Sequence, residues 1–351
     1  MFILTNHNTT LMKNLNDLTS LIKLVARSSR LAAWLLLLAA CSGKKEFKTI
    51  GSIERLDPEL DALVSPDASL EIIAEGLDWS EGPLWVESQK MLLFSDVPKN
   101  TIYKWTEEKG HEVYLTPSGY TGATPRGGEP GSNGLLLDDQ GNLILCQHGD
   151  RRLARMDAPL NAPQPNFVTL GGDLQGKKFN SPNDAALRNG KFYITDPGYG
   201  LAHDTLREIP FNGVYRIDAQ GQAKLLVDSI TNPNGIAFVG DMLVIGNSNP
   251  AKAIWYGITL TDDDSVTDVR VFVDATEASR TDHGAPDGFK VDKQGNLFAS
   301  GPGGLWIMNK AGKVLGKIRI PAATSNCALA DDDKTLYITS DMYVLRLKMR
   351  K

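Results

Sequence analysis

An all-β, six-bladed β-propeller with a central metal site is the fold this sequence predicts, on three observations. One short template recurs six times after residue 80. Helical periodicity is nearly absent after the first forty residues. Gly (33) and Pro (18) are abundant for a chain of 351 residues and fall between apolar runs, where hairpins turn. The remaining composition is that of an ordinary globular chain, 42% hydrophobic and 23% charged with a net charge of −5. Such values exclude a disordered chain and a surface built to coat nucleic acid. Three cysteines are too few for a disulfide framework.

Residues 1–40 read as a targeting segment. Lys13, Lys23, Arg27 and Arg30 precede the ten-residue apolar run Leu31–Ala40, which is too short to span a bilayer. Leu38-Ala39-Ala40-Cys41 resembles a bacterial lipobox, so Cys41 is expected to carry lipid. Residues 41–48 then form a polar tether, and residues 49–351 a single catalytic domain. The expectation is an exported lipoprotein, held to a membrane only by its lipid and facing the periplasm or the cell exterior. The other two cysteines, Cys146 and Cys327, lie in distant strand-like runs and are expected to be separate buried thiols.

The six templates begin at Glu81 (EGPLWVESQKMLLFSD), Asn133 (NGLLLDDQGNLILC), Asn183 (NDAALRNGKFYIT), Asn234 (NGIAFVGDMLVIG), Asp287 (DGFKVDKQGNLFAS) and Asn326 (NCALADDDKTLYITS). The steps between them are 52, 50, 51, 53 and 39 residues. Each unit holds two apolar strands around a Gly, Asp or Asn turn and is followed by another strand-like run, such as Thr101–Trp105. About four short strands per unit of this period make a propeller blade. Two sandwich domains would not account for one template running through the chain. Residues 117–132 and 197–212 read as long loops, and Leu70–Ile73 as a strand that closes the ring beside Val344–Leu347.

In a propeller, the first residue of each innermost strand contributes to a ring at one mouth of the central channel. That ring is Glu81, Asn133, Asn183, Asn234, Asp287 and Asn326, and every member has a side-chain oxygen. Asn and Asp commonly start strands as turn residues. Six of these residues in register, however, bring two carboxylates and four carboxamides to one place, which a hard divalent cation resolves. No His or Cys cluster has the spacing of a zinc site.

Glu81-Gly82-Pro83-Leu84-Trp85, Ser181-Pro182-Asn183-Asp184, Thr195-Asp196-Pro197, Pro233-Asn234-Gly235, Pro286-Asp287-Gly288 and Asn326-Cys327-Ala328 resemble the motifs of the gluconolactonase/regucalcin (senescence marker protein) family. Cys146–Arg152 is similar to a segment of its bacterial gluconolactonase-like branch. The resemblance runs in order from about residue 70 to the C-terminus. It implies one divalent metal, calcium first with magnesium, manganese or zinc as alternatives, held by Glu81, Asn183, Asn234 and Asp287. It also implies that Asp287 accepts and donates the proton. Asn133 and Asn326, the remaining ring members, would then either stand behind the ligands or face the substrate.

A cation with open positions can polarise a lactone carbonyl while a carboxylate shuttles the proton. His148 is a second catalytic candidate, equally readable as a structural histidine. Arg126 and Glu129, in the Gly-rich loop before Asn133, are candidate contacts to a polyhydroxylated substrate, and Tyr199 is a comparable one. Asp184 and Asp196 either orient the third ligand or cap turns. Trp85, Trp105, Trp255 and Trp306 lie in repeat strands and read as blade packing. A serine hydrolase is not indicated, because Ser132 lacks the Gly-x-Ser-x-Gly context.

The expected function is metal-dependent hydrolysis of a sugar lactone, an aldonolactone such as gluconolactone. Two alternatives are hydrolysis of another ester or phosphotriester-like bond, and a non-catalytic propeller that binds metal or a partner. The expected partner is a small-molecule lactone, with no nucleic acid and a monomeric or weakly oligomeric chain.

Overall fold

Apolar runs such as Met91–Asp96, Leu143–Gln147 and Leu297–Gly301 are buried along their whole length, as strands covered on both faces must be. The computed structural model describes residues 46–350. Contacts divide the chain into Met1–Phe47 and Lys48–Lys351. The targeting segment, the lipobox with Cys41, and the tether up to residue 45 lie outside the described residues. Helical structure within 46–350 is confined to five short 3-10 turns, and no described helix is long and apolar enough to cross a membrane.

Six antiparallel sheets of at least four strands form the blades. Blade one starts with the inner strand Ser80–Val86, blade two with Ser132–Leu137, blade three with Ala185–Arg188, blade four with Pro233–Val239, blade five with Phe289–Val291 and blade six with Thr324–Ala330. Leu70–Glu75 is the outer strand of blade six, pairing Leu70 with Leu347 and Ile72 with Leu345, so the two ends of the domain close the ring together. This pairing leaves no open seam between first and last blades. Ser52–Arg55 adds a fifth strand to blade five, where Arg319 is bonded to Glu54 and Asp282.

Apolar side chains fill the gaps between blades. Trp85 stacks on Tyr337 of blade six with ring centroids 5.5 Å apart, and Trp255 meets Trp306 of blade five at 5.6 Å. Trp105 and Trp255 are fully buried. All four tryptophans of the repeat strands therefore pack blades, as their positions suggested. Cys146 and Cys327 are buried, unpaired thiols in blades two and six.

Candidate active site at one mouth of the channel

The first residue of each template sits where its inner strand leaves regular pairing. Register shifts fall between Glu81 and Leu84, Ser132 and Leu135, Pro233 and Ile236, and Thr324 and Asn326. In blades three and five the inner strands begin only at Ala185 and Phe289, so Asn183 and Asp287 precede the ladder. A bulge re-aims a side chain that regular pleating would send into a sheet face. Gly82 makes one bulge possible. Its φ is +52°, and a Cβ there would lie 2.0 Å from the Asn133 carbonyl oxygen.

A closed circuit of hydrogen bonds ties these bulges together. The Ser95 hydroxyl donates to Asn133 O (3.0 Å), Gly134 N to Asn183 O (2.8 Å), and the Thr195 hydroxyl to Asn234 O (2.6 Å). Ser248 donates to Pro286 O (2.6 Å), Ser300 to Ser325 O (3.0 Å) and Ser325 to Ser80 O (2.6 Å). Each bond links a blade to the next, so all six junctions are bridged at the level of the ring. Asp96, Asp196 and Asn247 add a second set, accepting from backbone N–H groups just before the inner strands of blades one, three and four. Asp196 thus caps a turn.

Glu81, Asn133, Asn183, Asn234 and Asp287 converge on a cavity of about 150 Å³. Trp79, Glu129, Tyr199 and Ser248 complete its walls. Glu81, Asn133, Asn183 and Asn234 are buried. Burial raises the Glu81 carboxyl to about 8, with the Asp184 and Glu129 carboxylates adding to the rise. Burial likewise pushes Asp287 well above the carboxylate range, reinforced by Glu81 and Asp184. Among the described residues no cation pairs with either group. Asp287 Oδ1 and Asn133 Oδ1 are buried with no hydrogen-bond partner. No described cluster of three His, Cys, Asp or Glu could hold an ion by itself, so carboxamides must complete the donor set. Buried anionic and amide oxygens without partners are the chemistry that suits a hard divalent cation.

The structure redraws three expectations, for Asn326, Arg126 and His148, and agrees with a fourth, that Ser132 is no nucleophile. Asn326 does not line the cavity: its Nδ2 reaches Asp184 Oδ2 across the channel (3.3 Å), and its Oδ1 accepts from Cys327 N and from Lys290. Arg126 does not line it either. Its guanidinium donates to the carbonyls of His148, Gly149 and Gly200, clamping three loop segments together. His148 is fully buried and holds Glu129 through Nδ1 (3.0 Å), so only Glu129 of that pair reaches the cavity. Ser132 is buried and bonded to Ser95, away from any base. Trp79 and Ser248 were missed because they precede or follow the repeated template, and only ring closure brings them to the mouth. Tyr199 lines the cavity, its hydroxyl accepting from Asn232 Nδ2 (3.1 Å), and burial raises it to about 12.

The Arg126 clamp predicts a separable effect. Arg126→Ala should free the loop carrying Glu129 and raise KM for substrate about ten-fold, from the loss of two or three charge-assisted bonds. The melting temperature should move by only a few degrees. An unchanged KM would return Arg126 to a purely structural role.

A larger open groove of about 430 Å³ lies between blades two and three, among their hairpin turns. Two of its three carboxylates hold hairpin turns, Asp138 accepting from Gln140 N and Asn142 N and Asp218 from Gln220 N and Gln222 N, and the third, Asp139, is exposed to solvent. The channel mouth, which gathers the unpaired groups, is the better site.

Comparison with known proteins identifies the family. The sequence profile of the SMP-30/Gluconolactonase/LRE-like region matches residues 79–342. A gluconolactonase of Zymomonas mobilis is 36% identical over 316 residues, covering 86% of this chain and 87% of that one. The structure of a Xanthomonas campestris gluconolactonase superposes with a TM-score of 0.73 at 28% identity, covering 88% of this chain and all of that one. Regucalcin from Agrobacterium tumefaciens, a calcium-binding protein, shares the fold with a TM-score of 0.60 at 15% identity, covering 79% and 92%.

Proposed function

Because the chain belongs to the SMP-30/gluconolactonase/LRE-like family, we propose that it is a metal-dependent lactonase that opens an aldonolactone, such as gluconolactone, to its hydroxy acid. The observation that carries the reading is the pair of buried carboxylates, Glu81 and Asp287, in a cavity otherwise lined by amides and hydroxyls, with no cation beside them among the described residues. Glu81, Asn183, Asn234 and Asp287 would hold one divalent cation, calcium first, since every donor is a hard oxygen. Bound there, it would supply Lewis-acid polarisation of the lactone carbonyl.

The chain's own groups do the rest. Asp287, whose Oδ1 has no protein partner, takes a proton from the attacking water and returns it to the ring oxygen as that oxygen leaves. Asn133 Oδ1, equally unpaired, accepts from a substrate hydroxyl. Glu129, steadied by His148, offers a second acceptor at the rim. Trp79 and Tyr199 close the walls and limit the water that reaches the reacting carbon. A substrate rich in hydroxyls suits this lining better than an apolar ester, because it satisfies the acceptors it buries.

The test is removal and return of metal. Protein stripped by a chelator should lose hydrolysis of glucono-1,5-lactone and recover it with calcium, magnesium, manganese or zinc, while calorimetry records one bound ion. Full activity in verified metal-free protein would reject the metal requirement. Stoichiometric binding without hydrolysis of any lactone would favour a non-catalytic propeller.

A further inference from the structure

Two residues of the repeated template break it with a charge, and they meet. The second template position reads Gly82, Gly134, Asp184, Gly235, Gly288 and Cys327, and the fourth reads Leu84, Leu136, Ala186, Ala237, Lys290 and Leu329. Asp184 on blade three and Lys290 on blade five are the only charges at these twelve places. Lys290 Nζ lies 3.6 Å from Asp184 Oδ2. Asn326 of blade six joins them, donating from Nδ2 to Asp184 (3.3 Å) and accepting from Lys290 at Oδ1 (3.3 Å). Lys290 also donates to Phe289 O (3.1 Å). Side chains from three blades thus form one polar plug in the channel. A Cβ on Gly288 would stand 2.0 Å from the Asn326 side chain, and one on Gly134 would stand 2.6 Å from Asp184 Oδ1, so the plug is seated directly against the backbone of the ring.

Asp184 is buried, and its charge is felt by both Glu81 and Asp287. No other cation among the described residues is within ion-pair distance of it. With Glu81 and Asp287 ionised around a bound cation, three carboxylates would share the channel with one ammonium, a net charge of two negative units. Glu129 also raises both carboxyls, but it sits at the rim, half-exposed to solvent and bonded to His148, so water screens its charge more than that of the carboxylates below it.

We propose that Lys290 is a positioning residue that sets the charge of the cation this site accepts: it cancels Asp184, leaving two negative charges for a divalent ion. Buried charge that is not balanced costs far more than charge at a surface, so the protein's fixed cation and the bound one must together match the carboxylates. The inference rests on the metal site proposed above.

Apo protein titrated at pH 8 with calcium alone, by calorimetry, tests it. Lys290→Met should bind calcium about ten-fold more tightly or better, because a like charge near the ion is gone. Its preference for a trivalent lanthanide over calcium should grow further. Lys290→Arg should behave as wild type. Asp184→Asn should bind about ten-fold more weakly, and Asp184→Asn with Lys290→Met should return close to wild-type affinity. Lys290→Gln replaces Lys290→Met if the latter melts early. A residue that merely props the channel would instead give weaker binding on removal. Unchanged or weaker calcium affinity in folded Lys290→Met and Lys290→Gln overturns the charge role while leaving the metal site standing. Failure of wild type to bind any divalent ion, with Glu81→Gln indistinguishable from it, overturns the metal site itself and this role with it.

Discussion

Asp287→Asn is expected to lower kcat for glucono-1,5-lactone by about a thousand-fold or more at saturating metal, with the propeller intact. Asparagine keeps the volume and one oxygen donor, so the backbone path before Phe289 and the bond from Ser248 to Pro286 O should persist. It removes the negative charge and the group proposed to take the proton. Two effects should therefore separate. Metal affinity falls because the donor is neutral, and saturation recovers that part. The loss in kcat remains, because an amide does not shuttle protons at neutral pH. Glu81→Gln should show the first effect more than the second. The assay needs subtraction of the lactone's spontaneous hydrolysis, best done at slightly acidic pH. Wild-type kcat in metal-saturated Asp287→Asn would remove Asp287 from the proton path.

The metal-free protein should lose stability as pH rises from about 4.5 to about 8. The Glu81 carboxyl is raised from its ordinary 4.5 to about 8 by burial, and Asp287 is raised with it. Across that window the folded chain holds protons that the unfolded chain has released, so stability falls with rising pH. A drop of several degrees in melting temperature between pH 5 and pH 8 is the expected reading. Glu81→Gln, neutral at every pH, should flatten the slope. It should not abolish it, because burial also raises Asp196 to about 7. A divalent cation should stabilise more at pH 8 than at pH 5, since binding must displace those protons. A melting temperature that is constant or rises over this interval in metal-free protein would contradict the picture of two buried, protonated acids.

Groups of the site differ in how visible they are in the sequence. Glu81, Asn183, Asn234 and Asp287 stand at one position of a repeated template, and repetition makes geometry legible: equivalent positions in a closed ring must lie at one level. Reading the ring as closed also placed Leu70–Ile73 beside Val344–Leu347, inside the observed pairing of Leu70–Glu75 with Tyr343–Lys348. Equivalence by position failed for Asn326, which occupies the ring position yet turns down the channel, because Asp184 and Lys290 offer it charged partners there.

The amino-acid sequence by itself determined the all-β class, the count of six blades and the closure, because each follows from local pattern and its period. Only the tertiary structure decided which oxygens remain free. Arg126 was readable as a substrate contact until three loop carbonyls were found around its guanidinium. Trp79 and Ser248 belong to no template and reach the cavity only through the ring. Lys290 and Asp184 are 106 positions apart, and their pairing spans the channel. The physical reason is the same throughout. A side chain's backbone position is set by its neighbours in sequence, but its hydrogen bonds and its charge are satisfied by whatever distant blades bring within a few ångströms.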